Sequence, residues 1–323
     1  MPRLRNSDPN EIIAILVADI HASHTPPIAR SVEGDWYDVM SRQFSELSDL
    51  QAIHSVPIVC AGDVLDKWSV PAELINFLVE EMPTMLAIPG QHDLMYHSYD
   101  DLTKSSFATL IHTGTLKSLV SKYWMDHSDF EEGLVQSGLA IRGFPWGSRL
   151  DSKIIWNGKT AVRLGVAHQY VWAENACYHD APQDAHVSTV IIKTKINAYD
   201  AVVFGDNHKG FTKRVGGVWV HNNGTFFRRK SDEAGYKPCV GLLKADCSIE
   251  RYELRSCKND KFRDDTKEIK MLEAAEEKIS ALLSEIKNSK EEDFEFLDVV
   301  QQVFRKLDVK KTVRNYILRL IGN

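Results

Sequence analysis

The chain has little cysteine: Cys60, Cys177, Cys239, Cys247 and Cys257 are five in 323 residues, an odd count with no CxxC spacing. That suggests neither a disulfide framework nor a thiolate zinc site, and it suits a reducing cytosol. Long apolar runs are missing as well, since no stretch approaches the roughly 18 residues that cross a bilayer. The opening MPRLRNSDPN is polar and leads straight into a strand-like run, so a soluble, unexported, cytoplasmic chain without membrane association is expected. Charge of one sign is not in excess. Lys and Arg number 39 against 45 Asp and Glu, a net charge of −6, so any binding of nucleic acid has to come from a local basic patch. There is no internal repeat and no low-complexity tract. With 43% hydrophobic and 26% charged residues, disorder of the whole chain is excluded, and a globular domain of about 250 residues with an appendage fits.

What is present is a recurring unit. IIAILVA, from Ile12 to Ala18, is a continuous β-branched apolar run, the mark of a strand buried on both faces, and it ends at Asp19 and His21. VPIVC runs into Gly62 and Asp63, TMLAIP into Gly90, Gln91, His92 and Asp93, RLGVA into His168, and AVVF into Gly205, Asp206, Asn207 and His208. Helix-like stretches over Trp36 to Ile53 and Pro71 to Met82 separate the first three strands, giving the alternation of an α/β sheet. Ligands in such sheets bind at the carboxyl ends of the strands, so the five polar clusters are expected to converge. Runs over Val218 to Phe227, Val240 to Lys244 and Ile249 to Leu254 read as strands of a second sheet. From residue 258 the composition turns to charged residues with helical periodicity, as in Leu272, Ala275, Ile279, Leu282 and Ile286. The predicted division is 1–257 for the main domain and 258–323 for a helical region.

The ordered set is Asp19-x-His21, Gly62-Asp63-x-x-Asp66, Gly90-Gln91-His92-Asp93, a later His168, and Gly205-Asp206-Asn207-His208. Over residues 11 to 255 it resembles the calcineurin-like metallophosphoesterases, whose motifs are D-x-H, G-D-x-x-D, G-N-H-D/E, a later His, and G-H-x-H. The resemblance implies a four-layer α/β/β/α sandwich of two mixed sheets, here with a C-terminal helical appendage. It implies two divalent metal ions, one held by Asp19, His21, Asp63 and His208, the other by Asp63, Gln91, His168 and Asp206. It further implies that His92 contacts the phosphate and acts as an acid, that Asp93 orients it, and that a metal-bridging hydroxide attacks phosphorus. Two cations about 3.5–4 Å apart suit that chemistry, because they neutralise developing charge and lower the pKa of a shared water.

Two positions depart from the family pattern: Gln91 stands where Asn is usual and Asp206 where the first His of G-H-x-H is usual. The second metal would then have three oxygen donors and one imidazole, a harder set that favours Mn²⁺, with Mg²⁺ next, over Zn²⁺. A site crippled by the same substitutions is the competing reading. His97, Arg228 and Arg229 are candidate substrate contacts.

Within this family the chain most resembles the SbcD/Mre11-type DNA nuclease subunits, in the order of its segments and in Asn223-Gly224-Thr225-Phe226-Phe227-Arg228-Arg229 after the last metal motif. That resemblance implies DNA as substrate, an SbcC/Rad50-like ATPase subunit docked through the C-terminal helices, and a homodimer. From Phe304 to Asn323 six basic residues stand against the single acidic Asp308, a local excess suited to a partner or DNA surface. A DNA exo/endonuclease subunit is therefore expected. A stand-alone phosphatase or cyclic-nucleotide phosphodiesterase of the same fold, and a non-catalytic scaffold, remain the alternatives.

Overall fold

The computed structural model describes residues 8–120, 139–150, 162–194, 198–264, 267–275 and 278. Contacts divide the chain into two units at residue 270, and the fold described is that of the first. Most of the helical region predicted from residue 258 lies outside the described residues. Of its start, 256–259 form a 3-10 turn and 267–275 are helical.

Six strands form the first sheet: β1 (Ile12–Val17), β2 (Ile58–Cys60), β3 (Met85–Ala87), β4 (Leu116–Ser118), β10 (Cys239–Lys244) and β11 (Ile249–Glu253). Five form the second: β5 (Leu139–Phe144), β6 (Val162–His168), β7 (Ala201–Gly205), β8 (Phe211–Val215) and β9 (Val218–Asn222). Their orders are β11-β10-β1-β2-β3-β4 and β5-β6-β7-β9-β8. β1 to β4 are parallel, as are β5, β6, β7 and β9, while β10, β11 and β8 pair antiparallel to their neighbours. Both sheets are thus mixed.

The doubly apolar strands explain the layers. Successive side chains of a strand point to opposite faces. In β1, Ile15 and Val17 pack with Met40, Phe44 and Leu47 of α1 (Trp36–His54), with Leu74 and Leu78 of α2 (Ala72–Glu81) and with Phe107 of α3 (Ser106–His112). Ala14 and Leu16, between them, face the other sheet and meet Leu164, Val166, Ala201 and Val203. On the far side of the second sheet, Val202 and Phe204 of β7 pack against Val187, Val190 and Ile191 of α4 (Val187–Thr194). The result is the expected α/β/β/α sandwich.

One expectation changes. The runs after His208 do not make a sheet of their own: β9 joins β7, whereas β10 crosses to pair with β1, Ile15 opposite Leu242. Strand pairing is a tertiary property, and the composition of CVGLLK says only that both of its faces are buried.

Candidate metal centre

Every predicted cluster sits at the carboxyl end of its strand: Asp19 and His21 after β1, Asp63 after β2, Gln91 to Asp93 after β3, His168 at the end of β6, and Asp206 to His208 after β7. The turns that hold them are strained. Asp19, His21, Asp63 and Asp206 have φ of 52°, 50°, 52° and 77°, a region that few non-Gly residues enter, Asn, Asp and His more readily than the rest. Backbone bonds between adjacent strand ends enforce it, Asp19 N–H donating to Gly62 O at 3.0 Å and His21 N–H to Asp63 O at 2.9 Å. Such outliers gather at functional sites because only a well-determined surrounding can hold them. Gly90 is required at its position, since a Cβ there would lie 2.1 Å from Asp63 Oδ1.

The side chains converge. His21 Nε2 is 3.0 Å from His208 Nε2 and 3.7 Å from Asp63 Oδ2, and His168 Nε2 is 3.4 Å from Asp63 Oδ2. Donor atoms of Asp19, His21 and His208, of His21, Asp63 and His92, and of Asp19, Asp63 and His168 each fall within 4.8 Å of one another. Asp63 therefore stands between two histidine groups. Asp206 and Gln91 join this centre from one side: the Gln91 amide donates to Asp206 Oδ1 at 2.7 Å, and Asp206 N–H donates to Asp19 Oδ1 at 2.9 Å. The two departures from the family pattern thus touch each other, the longer Gln arm reaching the shorter carboxylate.

These residues fit a pair of cations. Asp19 Oδ2, Asp63 Oδ2, Gln91 Oε1 and His168 Nε2 are buried and have no hydrogen-bond partner. In a dry interior each is costly unless something positive meets it. His168 Nδ1 lies 2.6 Å from Ala61 O, a carbonyl that can only accept, so Nδ1 carries a proton and Nε2 is the nitrogen turned to the centre, where a cation would take the place of a second proton. The electrostatics agree. Burial pushes the Asp19 carboxyl up to about 7 although His208 and His168 pull it down. At Asp63 burial opposes the charge, but His168, His92 and His21 outweigh it and hold the carboxyl well below its usual range. His168 loses affinity for a proton through burial and more than regains it from Asp63, rising to about 10. The centre attracts positive charge.

Around it, some residues have roles other than those expected. Asp93 does not touch the His92 ring. Its carboxylate accepts from Val64 N–H at 3.2 Å, Leu65 N–H at 2.9 Å and Gly90 N–H at 2.9 Å, tying the β2 and β3 turns together, while burial and the charge of Asp63 push it up to about 7. The group that orients His92 is the Asp66 carbonyl, 3.0 Å from Nδ1. Arg228 points away from the centre, to Asp260 at 3.0 Å and to the carbonyls of Cys257 and Ala234. Arg229 lies beside the centre and pairs with the Asp66 carboxylate. His97 is exposed at the rim, with Nδ1 2.9 Å from Gln91 O and φ of 54°.

Two residues escaped the sequence reading. Glu233 faces His208 Nδ1 at 3.6 Å and accepts from the backbone N–H of Arg229 and Lys230 at 2.6 and 2.9 Å. It reaches the centre from a 3-10 turn that matches no motif. Asn207, between two motif residues, is fully buried and donates to Val171 O and Ala176 O at 2.9 Å each, pinning the loop after β6. Its place inside the last motif was the available signal.

Two facing mixed sheets with histidines and carboxylates gathered at the strand ends define a metallophosphoesterase. The chain belongs to the calcineurin-like phosphoesterase family, whose sequence model matches residues 14–210. Membership supports a metal-dependent phosphoester hydrolase. No curated protein sequence matches significantly. Among solved structures, Vps29 complexed with zinc from Entamoeba histolytica is similar with a TM-score of 0.36 and 14% identity over 77% of this chain and 95% of that one. An archaeal phosphodiesterase gives 0.35 and 12% over 75% and 99%. A metallophosphoesterase from Sphaerobacter thermophilus gives 0.33 and 12% over 81% and 94%. Among the described residues, no helix is long and apolar enough to cross a membrane.

Proposed function

We propose that the chain is a two-metal phosphodiester hydrolase acting on DNA, an exo/endonuclease subunit of the SbcD/Mre11 type. The observation that carries the hydrolase reading is the set of buried, unpartnered atoms on Asp19, Asp63, Gln91 and His168, with Asp63 shared by two of the three groups of converging donor atoms. Asp19, His21, Asp63 and His208 would hold one ion, and Asp63, Gln91, His168 and Asp206 the other. The carboxylate and amide oxygens of Asp206 and Gln91 favour Mn²⁺, with Mg²⁺ next. When bound, the cations supply neutralisation of the phosphodiester charge and an activated water.

The chain's own residues do the rest. The Asp66 carbonyl accepts the Nδ1–H of His92 and so turns Nε2, with the proton it donates as an acid, toward the phosphate and the leaving oxygen. Asp93 keeps the His92 turn closed on Asp63, whose Oδ1 accepts from His92 N–H at 2.9 Å. DNA as the substrate, an SbcC/Rad50-like ATPase subunit bound by the C-terminal segment, and a homodimer rest on the order of segments and on the basic excess over residues 304–323.

The test is Mn²⁺-dependent degradation of linear double- and single-stranded DNA by the purified chain, beside a His92→Ala control and a chromogenic phosphodiester. Cleavage of DNA that the control loses supports the nuclease. Cleavage of the small diester alone, with the ATPase subunit also present, removes DNA as substrate and leaves a small-molecule phosphodiesterase.

A further inference from the structure

The side chains of the adjacent Arg228 and Arg229, in the loop after β9, reach different partners. Arg228 turns outward and is saturated by Asp260, Cys257 O and Ala234 O, with its guanidinium 5.2 Å from the centre of the Phe262 ring. Arg229 turns inward to a single side-chain partner, the Asp66 carboxylate. The backbone beneath it is fixed, because Arg229 N–H and Lys230 N–H both donate to the buried Glu233. Asp66 is held twice, by Arg229 at its side chain and by Ala22 O at its N–H, 3.0 Å away. What remains free on Asp66 is its carbonyl, and this is the atom 3.0 Å from His92 Nδ1.

We infer that Arg229 is a positioning residue for His92: by gripping the Asp66 carboxylate it sets the plane of the following peptide, aims the Asp66 carbonyl at Nδ1, and so decides which nitrogen of His92 faces the phosphate. The inference rests on the hydrolase reading above and replaces the expectation that Arg229 touches the substrate. In the step concerned, water oxygen forms the new P–O bond and releases one proton to solvent, while the old P–O bond breaks with its electron pair going to the leaving oxygen. His92 enters the step with a proton on each ring nitrogen; the one on Nε2 passes to the leaving oxygen, the ring is left neutral with Nδ1–H on the Asp66 carbonyl, and it regains its Nε2 proton from solvent. A misaimed carbonyl lets the ring rotate, and the proton is then delivered from the wrong place.

This separates three roles for Arg229. If it positions His92, Arg229→Met lowers kcat on a dinucleotide, whose alkoxide leaving group needs a proton, by about 10²-fold, but changes kcat on a p-nitrophenyl diester, whose leaving group does not, by less than about threefold. KM is unchanged for both, and Arg229→Lys, which keeps a charged donor for Asp66, recovers most of the loss. Long-range ¹H–¹⁵N spectra of histidine-labelled full-length protein, with His92→Ala for assignment, show a protonated Nδ1 in the wild type and in Arg229→Lys and a mixture of tautomers in Arg229→Met. A raised KM for both substrates at constant kcat would mean a direct phosphate contact and overturn the inference. Equal losses on both leaving groups with an unchanged His92 tautomer would mean a role in folding alone and overturn it too. A wild-type chain that hydrolyses no phosphodiester refutes the hydrolase reading, and the tautomer in Arg229→Met still decides the positioning.

Discussion

Glu233 is the residue whose contribution is least visible from the motifs and easiest to isolate. Its carboxylate faces His208 Nδ1, and His208 gains basicity from it and from Asp19 against the opposing effect of burial. Glu233 itself is held below the usual carboxylate range: burial works against its charge, but His208 and the N–H groups of Arg229 and Lys230 outweigh it. A carboxylate behind a ligating imidazole fixes the ring and strengthens its lone pair, and removing one typically costs 10- to 100-fold in metal affinity. Glu233→Gln keeps the size and an oxygen for the two backbone donors while losing the charge. Titration calorimetry with Mn²⁺ is expected to show affinity weakened by about 10-fold or more; an unchanged isotherm would mean that Glu233 serves only the turn.

At the scale of the element, the strand ends approach so closely that their spacing is set by missing atoms. A methyl group on Gly90 would meet Asp63 Oδ1 at 2.1 Å and Asp63 N at 2.5 Å, so the β3 turn has to move away from the β2 turn. Gly90→Ala is expected to cost about 1–3 kcal/mol of stability and to abolish bound metal, read by urea unfolding and by metal analysis of the dialysed protein. Full metal content in a folded variant would show that the turn can yield. The strands that build this centre were legible in the sequence because burial on both faces leaves an unmistakable apolar run, and Asp19, Asp63, His168 and His208 follow directly where those runs stop. The helices over 36–54 and 72–81 were legible to within a residue or two, since the Asp35 carboxylate that accepts from Tyr37 N–H and the prolines at 57 and 71 punctuate them. What was hidden is what depends on pairing between distant segments: β10 crossing to β1, the Asp93 carboxylate bonding backbone instead of His92, the Gln91 amide meeting Asp206, and Arg228 and Arg229 parting company. No local pattern records these, because each is decided by what the fold places opposite.

For the whole molecule, two balances set stability. Buried and unpartnered, the Asp19 and Asp63 carboxylates are a liability unless cations meet them; on the proposed function a chelator is expected to lower Tm, and Mn²⁺ at about 100 times its Kd to restore roughly 2.7 kcal/mol. Calorimetry with Asp63→Asn, which lacks the carboxylate shared by two of the converging donor groups, would show little response; an equal response in both proteins would place the stabilising ion elsewhere. The second balance lies between the sheets, at a residue outside the candidate metal centre. His221 of β9 is fully buried, 2.8 Å from Thr212 Oγ1 through Nδ1, with its ring against Gly241 of β10 in the facing sheet. Burial, helped by the charge of Arg251, lowers its pKa to about 3. An unfolded histidine takes up its proton near pH 6.5. Between those values the unfolded chain binds a proton that the folded chain refuses, so this contribution is complete above pH 6.5 and is lost as the pH falls. His221→Gln removes the titration and keeps an acceptor for Thr212. The stability gap between wild type and variant, measured by urea unfolding, is expected to shift by about 2 kcal/mol in favour of the variant from pH 7 to pH 5. The opposing effects of Asp19 and Asp93, both raised to about 7, are common to the two proteins and cancel in the difference. Parallel curves would mean that His221 is protonated inside the sandwich, and that the contact between the sheets opens to water before the rest of the fold does.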